Sequence, residues 1–437
     1  MFLRLYQILT TLAGLLGWPY FYWHLKRRGR GESFFPRLGV RLPPPPPEGT
    51  PRVWLHGVSV GEILAAVPLV QELKNLLPQA AIIITTGTET GQALALKNFT
   101  PMGALVCYFP LDFPWAVSRY LRHLQPQVFV ALESEIWPNF LTQAHQAGVR
   151  LGLVNGRLSD KSFRRFVKYR RYFIDILSYI ELFAAGSPQD YERYQALGLP
   201  PERLHFTGNL KIDRLLQARE SEKVAAFRDI LQLDRESPSQ PPVLLAASTH
   251  PGEEDVVLET YKALRAPYPP PLLLLAPRHP ERAPELGRLL KTFELPFHPW
   301  SHLKSGQETR SQSVVLIDTI GDLFSLYGLA DVAFVGGSLV PHGGQNILEA
   351  AAWGLSPIYG PHLDNFRWAQ AILEEARAGT MVRDVPGLLR AIRHLLDQPE
   401  ERRAEGRRAQ SALIPHQGAA RRQAELIMEL AVSSKRQ

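Results

Sequence analysis

One cysteine in 437 residues, Cys107, has no partner for an intrachain disulfide and cannot form a cysteine metal cluster. A single thiol fits a reducing compartment. Charge is sparse too: 21% Asp, Glu, Lys and Arg against 45% hydrophobic residues excludes a disordered chain. The 13 histidines show no metal-ligand spacing, so chemistry without metal or cofactor is expected. No short repeat recurs, which argues against stacked-repeat architectures. The first glycine turn, HGVSVGE, lacks the Gly-x-Gly-x-x-Gly spacing of dinucleotide folds, and a dehydrogenase reading gains little from it.

What is present begins at the amino end. Leu5 to Leu25 carries no charge and is about long enough for a bilayer-crossing helix. Trp18, Tyr20, Tyr22 and Trp23 cluster near its end, as at a membrane interface, and KRRGR follows, leaving the remainder on the cytoplasmic side. Gln7, Thr10, Thr11 and Pro19 weaken a spanning helix and keep a shallow interfacial anchor open. A cleaved signal peptide fits less well, since the heavier charge follows the apolar run; a buried core helix is the bland alternative. The net charge is +7, and residues 1–52 hold eight basic residues against two acidic ones. Basic charge beside an apolar run suits an anionic membrane surface better than nucleic acid. Residues 1–30 are therefore expected to be a membrane anchor, and 31–50, containing Pro43 to Pro47, a stiff spacer with a polyproline stretch of about 15 Å.

From Arg52 onward, short β-rich runs alternate with helical ones. RVWLHGV, AAIIITT, ALVCYF, QVFVAL, RLGLVN and IELFAA read as buried strands. The rhythm breaks over residues 211–241 and resumes with VLLAAST, PLLLLAP, SVVLID, DVAFVGG and LSPIYG. The expectation is an α/β protein with two Rossmann-like parallel-sheet domains, 51–210 and 242–437, joined by a linker at 211–241. The last helix has the option of crossing back. Ligands of such sheets sit beyond the carboxyl ends of the strands.

Several polar clusters fall at those ends. Glu62 lies in the first helical turn after HGVSVG, where it can act as a general base or merely cap the helix. VFVALESEIWPNF delivers Glu133 and Glu135 from a strand end, one to a ligand and one to the scaffold, or both to helix capping. LLLLAPRHPER ends a strand at Pro277 and Arg278, and an Arg there suits a phosphate. VGGSLVPHGGQNILEAAAWG places two glycine pairs before a helix beginning near Gln345. Asn346 and Glu349 then share one face of that helix, fit for phosphate and sugar. In KSFRRFVKYRRYFIDIL, Phe163, Phe166, Val167, Ile174 and Leu177 recur near helical spacing, with Arg164, Arg165, Lys168 and Arg171 between them. That pattern is a solvated helix face or a surface for acidic headgroups.

Together these blocks, with TTGTETG, YFPLDFPWAVSRYL, NGRLS, TGNLKID, AASTHPGEE and YGPHLDNF, resemble the bacterial Kdo transferases in order and over nearly the whole chain. Such enzymes move 3-deoxy-D-manno-octulosonic acid (Kdo) from CMP-Kdo to a lipid A precursor in lipopolysaccharide synthesis. The resemblance implies a glycosyltransferase-B fold, two Rossmann-like domains facing across a cleft that closes on the donor. It makes Glu62 the proton acceptor, with Glu133 and Lys211 supporting the transition state. Pro277, Arg278, Gly321, Asp322, Leu323, Asn346, Ile347, Leu348 and Glu349 would contact CMP. It implies no metal, no cofactor and no nucleic acid, and a place on the cytoplasmic face of the inner membrane. Gln345 stands where many relatives carry His, and the proline run is unusual. The alternatives are a related enzyme using UDP- or ADP-sugars, an epimerase, or a non-catalytic membrane-attached nucleotide-binding module.

Overall fold

The structure, a computed structural model, describes residues 2–27, 31–47, 49–234, 240–264 and 270–432. The chain forms two compact units. The first combines the chain up to Arg214 with the stretch from His416 onward; the second runs from Leu215 to Pro415.

The first unit holds seven parallel strands: β1 (Arg52–Gly57), β2 (Ala81–Thr86), β3 (Leu105–Tyr108), β4 (Val128–Leu132), β5 (Arg150–Gly156), β6 (Ile180–Ala185) and β7 (Leu204–Phe206). Their order is β3-β2-β1-β4-β5-β6-β7, so the direction of winding reverses between β1 and β4. Alternation along each strand sends residues to opposite faces. Trp54, Phe129 and Ala131 pack into one apolar cluster; Val53, Leu55, Val128, Val130 and Leu132 pack into another. Both faces are covered, which is why these runs are hydrophobic throughout. The helix Ala419–Val432 closes the second face, burying Ala420, Ala424 and Ile427 against Leu69 and its neighbours.

The second unit holds β8 (Val243–Thr249), β9 (Leu272–Pro277), β10 (His298–Pro299), β11 (Val314–Leu316), β12 (Val332–Val335), β13 (Pro357–Tyr359) and β14 (Thr380–Met381). All pairs are parallel in the order β10-β11-β9-β8-β12-β13-β14, with the reversal between β8 and β12. The two expected parallel sheets are present. Within 211–241 the chain forms the helices Leu210–Gln217 and Ser221–Ile230, and residues 235–239 lie outside the described ones.

The amino-terminal helix Phe2–Arg27 differs from a spanning segment: no helix among the described residues is long and apolar enough to cross a membrane. Residues 28–30 of the basic run lie outside the described residues. The helix instead packs on the first unit with its polar side. Tyr6 donates to Asp112 at 2.9 Å, Asn139 donates to the Thr10 hydroxyl at 2.9 Å, and Gly14 sits against Trp115 so closely that a Cβ would clash. Leu5, Ile8, Leu9, Leu12, Leu16, Tyr20 and Trp23 form the opposite, exposed stripe at helical spacing. The helix thus leaves apolar side chains outward, Leu15 and Trp18 among them, while its polar groups face the first unit.

The proline segment is tied down rather than free. Arg52 donates to the carbonyls of Pro46 and Pro47 at 2.9 and 3.2 Å, and His123 meets the Pro43 carbonyl at 2.6 Å. Prolines lack an N–H but keep their carbonyls, so side-chain donors are the natural clamps.

Candidate active site

In the first unit, Glu62 follows β1 and Glu133 follows β4, the neighbouring strands at which the winding reverses. Loops leaving such a pair diverge and open a crevice.

Ser59 caps the helix Val60–Leu76: its hydroxyl accepts the Glu62 N–H at 3.2 Å. Glu62 in turn accepts the Ser59 O–H at 2.6 Å and the Val58 N–H at 2.8 Å. This is close to a reciprocal capping box, so the capping role is real and both carboxylate oxygens are engaged. The electrostatics go further. Glu62 is only 8% exposed; burial raises its pKa and the Glu133 charge raises it more. Ser59, the Val58 N–H and Lys211 offset this only in part. The helix dipole favours the ionised form, but desolvation outweighs it.

Glu133 holds a left-handed backbone (φ +62°) directly after β4, with its N–H on the Val154 carbonyl. For a non-glycine residue that conformation costs about 1–3 kcal/mol and turns the side chain out of the strand register. Its Oε1 meets the Lys211 ammonium at 2.5 Å. The start of the helix bearing Lys211 is fixed by three groups. Asn209 Oδ1 accepts the Lys211 N–H, Asn155 Oδ1 accepts the Leu210 N–H, and His416 Nδ1 accepts the Asn209 N–H. Burial pushes His416 down to about 4, so its ring is neutral and free to accept. Asn155 was visible only as part of NGRLS, and His416, some 200 residues on, carried no local signal. Nearby Glu135 is pushed up to about 7, by burial first and then by Glu62 and Glu133.

In the second unit, β11, β9, β8 and β12 are consecutive in the sheet, and every candidate nucleotide-contact residue lies at or beyond the carboxyl end of β9, β11 or β12. Pro277 ends β9 and is buried; Arg278 beyond it is exposed, its N–H on the Thr249 carbonyl. No ion pair among the described residues engages the Arg278 guanidinium.

Gly321, Asp322 and Leu323 follow β11. Gly321 is exposed at φ +92°. The Asp322 carboxylate is buried and spoken for: it accepts from Trp300 Nε1 at 3.0 Å, Lys304 at 2.9 Å and the Thr319 hydroxyl at 2.7 Å, with Lys223 at 3.4 Å. Burial alone would raise its pKa; the bonds from Lys304, Thr319 and Trp300 hold it at about 2. Its side chain is a structural tie.

After β12 the structure corrects two expectations. The helix there is Leu348–Ala352 and does not begin near Gln345; Asn346 Oδ1 accepts the Leu348 N–H at 3.3 Å. Ile347 and Leu348 are fully buried, so their side chains serve the core, while Asn346 and Glu349 are half-buried. Asn346 precedes that helix and Glu349 lies in its first turn, so the two do not share one helix face as expected. The N–H groups of Gly337, Ser338 and Leu339 all point at the buried carboxylate of Glu253. His250 also lies at this end of the sheet, stacked on His342 with ring centroids 4.5 Å apart, its pKa lowered to about 4 by burial and by the neighbouring His342. For metals, His394, Glu401 and Glu405 bring ligand atoms within 4.8 Å of one another on the surface, and no second observation marks that group as a site.

Comparison with known proteins follows from this geometry. Residues 32–214 match the family model for 3-deoxy-D-manno-octulosonic-acid transferase (kdotransferase). The 3-deoxy-D-manno-octulosonic acid transferase of Haemophilus influenzae is 36% identical over 384 residues, covering 88% of this chain and 87% of that protein. The enzyme of the same name from Chlamydophila psittaci is 31% identical over 403 residues, 92% of this chain and 90% of that one. Among solved structures, UDP-GlcNAc 2-epimerase from Neisseria meningitidis superposes with a TM-score of 0.56 at 14% identity, covering 87% of this chain and 100% of that one. A glycosyltransferase from Rickettsia africae gives 0.55 at 11%, covering 89% and 99%. At such identities these two show a shared glycosyltransferase-B-like fold and nothing about substrate. The sequence relatives decide the matter: the chain belongs to the 3-deoxy-D-manno-octulosonic acid transferase family of glycosyltransferases.

Proposed function

We propose that this enzyme transfers Kdo from CMP-Kdo to a lipid A precursor, a tetra-acylated disaccharide bisphosphate, with inversion at the anomeric carbon. The acceptor's primary hydroxyl oxygen attacks that carbon, its proton passes to Glu62, and the bond to the CMP phosphate breaks with CMP as leaving group. Glu133 and Lys211 support the transition state beside Glu62. Arg278 and the backbone around Gly321 to Leu323 and Asn346 to Glu349 hold the nucleotide. One observation carries this reading. Glu62 is a buried carboxylate with a raised pKa, at the winding reversal of its sheet, inside the field of an ion pair. A base with a pKa nearer to neutrality matches its task better than an ordinary carboxylate.

The exposed stripe of the amino-terminal helix would lie in the cytoplasmic leaflet of the inner membrane, where a lipid acceptor is found. Arg164, Arg165, Lys168 and Arg171, all exposed on the helices Asp160–Lys168 and Arg170–Leu177, would meet the acceptor's phosphates. Val167, expected on the packed side, is exposed among them.

The test is an assay with CMP-Kdo and the tetra-acylated bisphosphate, read by product mass, beside calorimetric titration with CMP, UMP and ADP. Product heavier by one or more Kdo residues supports the proposal. Preference for UMP or ADP, or absence of product, would overturn it.

A further inference from the structure

Glu253 is fully buried and forms no ion pair among the described residues. Its charge is met by four backbone N–H groups instead. Oε2 accepts from His250 at 2.9 Å and Gly337 at 2.6 Å; Oε1 accepts from Ser338 at 2.9 Å and Leu339 at 2.8 Å. Three successive amides converging on one point form a concavity of the kind that ordinarily binds phosphate. Here an internal carboxylate fills it. The approach is possible because residue 336 is glycine: a Cβ there would stand 2.7 Å from Glu253 Oε2, from the Ser248 carbonyl oxygen and from Thr249 Cα. The turn is secured from its other side by Ser338, fully buried, whose hydroxyl accepts the Gly360 N–H at 2.8 Å and whose carbonyl accepts the His362 N–H at 2.9 Å.

We infer that Glu253 is a positioning residue for the sugar-nucleotide donor, occupying the anion cradle of the Gly336–Leu339 turn and thereby setting that turn and the following residues to Glu349. The inference rests on the donor-site reading above. Two consequences distinguish it. A ligand phosphate is excluded from the 337–339 amides, so its recognition falls to groups such as Arg278. The cradle is also bound through charge-assisted bonds, about twice as strong as neutral ones, so a neutral acceptor cannot replace it. In Glu253→Gln the side-chain amide must place its own N–H groups against two backbone donors, whereas Glu253→Asp keeps the charge and shortens the reach.

The experiment compares full-length wild type, Glu253→Gln and Glu253→Asp by amide hydrogen exchange and by steady-state kinetics. Exchange at residues 337–339 should accelerate in Glu253→Gln with the remainder of the second unit still protected. The donor KM should rise ~10-fold or more in Glu253→Gln while kcat and the acceptor KM change within ~3-fold, and Glu253→Asp, with its charge kept but its reach shortened, should recover only part of the loss, its donor KM staying ~3-fold or more above wild type. Unchanged exchange, or a folded variant with wild-type donor KM, overturns the inference. So does a uniform loss of kcat that tracks only the folded fraction. If Glu253→Gln does not fold, the Asp variant decides alone, and a wild-type donor KM there is fatal. Wild-type titration with CMP, UMP and ADP is run in parallel. A preference other than CMP defeats the donor reading, and the variants are then scored on the nucleotide that binds.

Discussion

The Lys211 ammonium lies 2.5 Å from Glu133 Oε1, and the two charges act on Glu62 in opposite senses: Glu133 raises its pKa and Lys211 lowers it. A general base works only when deprotonated, so a higher pKa moves the acidic limb of the rate profile to higher pH. Lys211→Ala should shift that limb upward and Glu133→Gln downward. Profiles of kcat/KM for the two variants check this, and shifts in the same direction would contradict it.

Glu62→Gln should lower kcat by ~10²–10⁴ if the carboxylate is the base. Nucleotide binding, which the proposal assigns to the second unit, should be unchanged by calorimetry. The amide can still accept one of the two bonds that Glu62 receives from Ser59 and Val58, so thermal unfolding should move little.

The exposed stripe of the amino-terminal helix predicts a separable membrane effect. Leu9→Glu with Leu16→Glu places two charges on its outward side, away from Tyr6, Thr10 and Gly14. Partitioning to acidic vesicles in a flotation assay should fall by ~10-fold or more, with the fold intact. Removing residues 1–49 entirely should abolish partitioning but also strip Asp112 of the Tyr6 bond, so a loss of stability is expected there and not in the double variant.

Asp322→Ala should destabilise the second unit by about 1–3 kcal/mol, through lost bonds to Trp300, Lys304 and Thr319. The carboxylate's pKa is depressed from 3.8 to about 2. Its stabilisation is therefore complete above the ordinary value and is lost as pH falls through about 2. Denaturant melts at pH 7 and pH 2 should show the wild type and variant converging at the lower pH.

Architecture was the most legible property. Eleven of the strands are apolar runs flanked by turn residues, and all eleven were readable. The three that were not, β7, β10 and β14, are two or three residues long and lie at sheet margins. Such short pairings leave no periodicity, because neighbours and not composition hold them. At the site, Arg278 was visible because it abruptly ends an apolar run, and Glu62 because it opens a helix just after the strand-end turn HGVSVG. Glu253 was hidden among three consecutive acidic residues; its meaning comes from amides 84 to 86 positions away. Asp322 entered only through the family resemblance, and sequence alone does not display the Trp300, Lys304 and Thr319 that its carboxylate bonds.

The first unit is interrupted: its chain departs after Arg214 and resumes at His416, where His416 receives the Asn209 N–H and Asp213 accepts the N–H groups of Gly418 and Ala420. A gene fragment stopping near residue 214 would therefore encode an incomplete body, lacking the helix that seals one sheet face and the groups that brace the helix bearing Lys211. The second unit, by contrast, is one uninterrupted insertion. Splitting this enzyme for separate production calls for a circularly permuted first half, with the terminal helix stitched ahead of the amino-terminal helix or the gap bridged by a short linker.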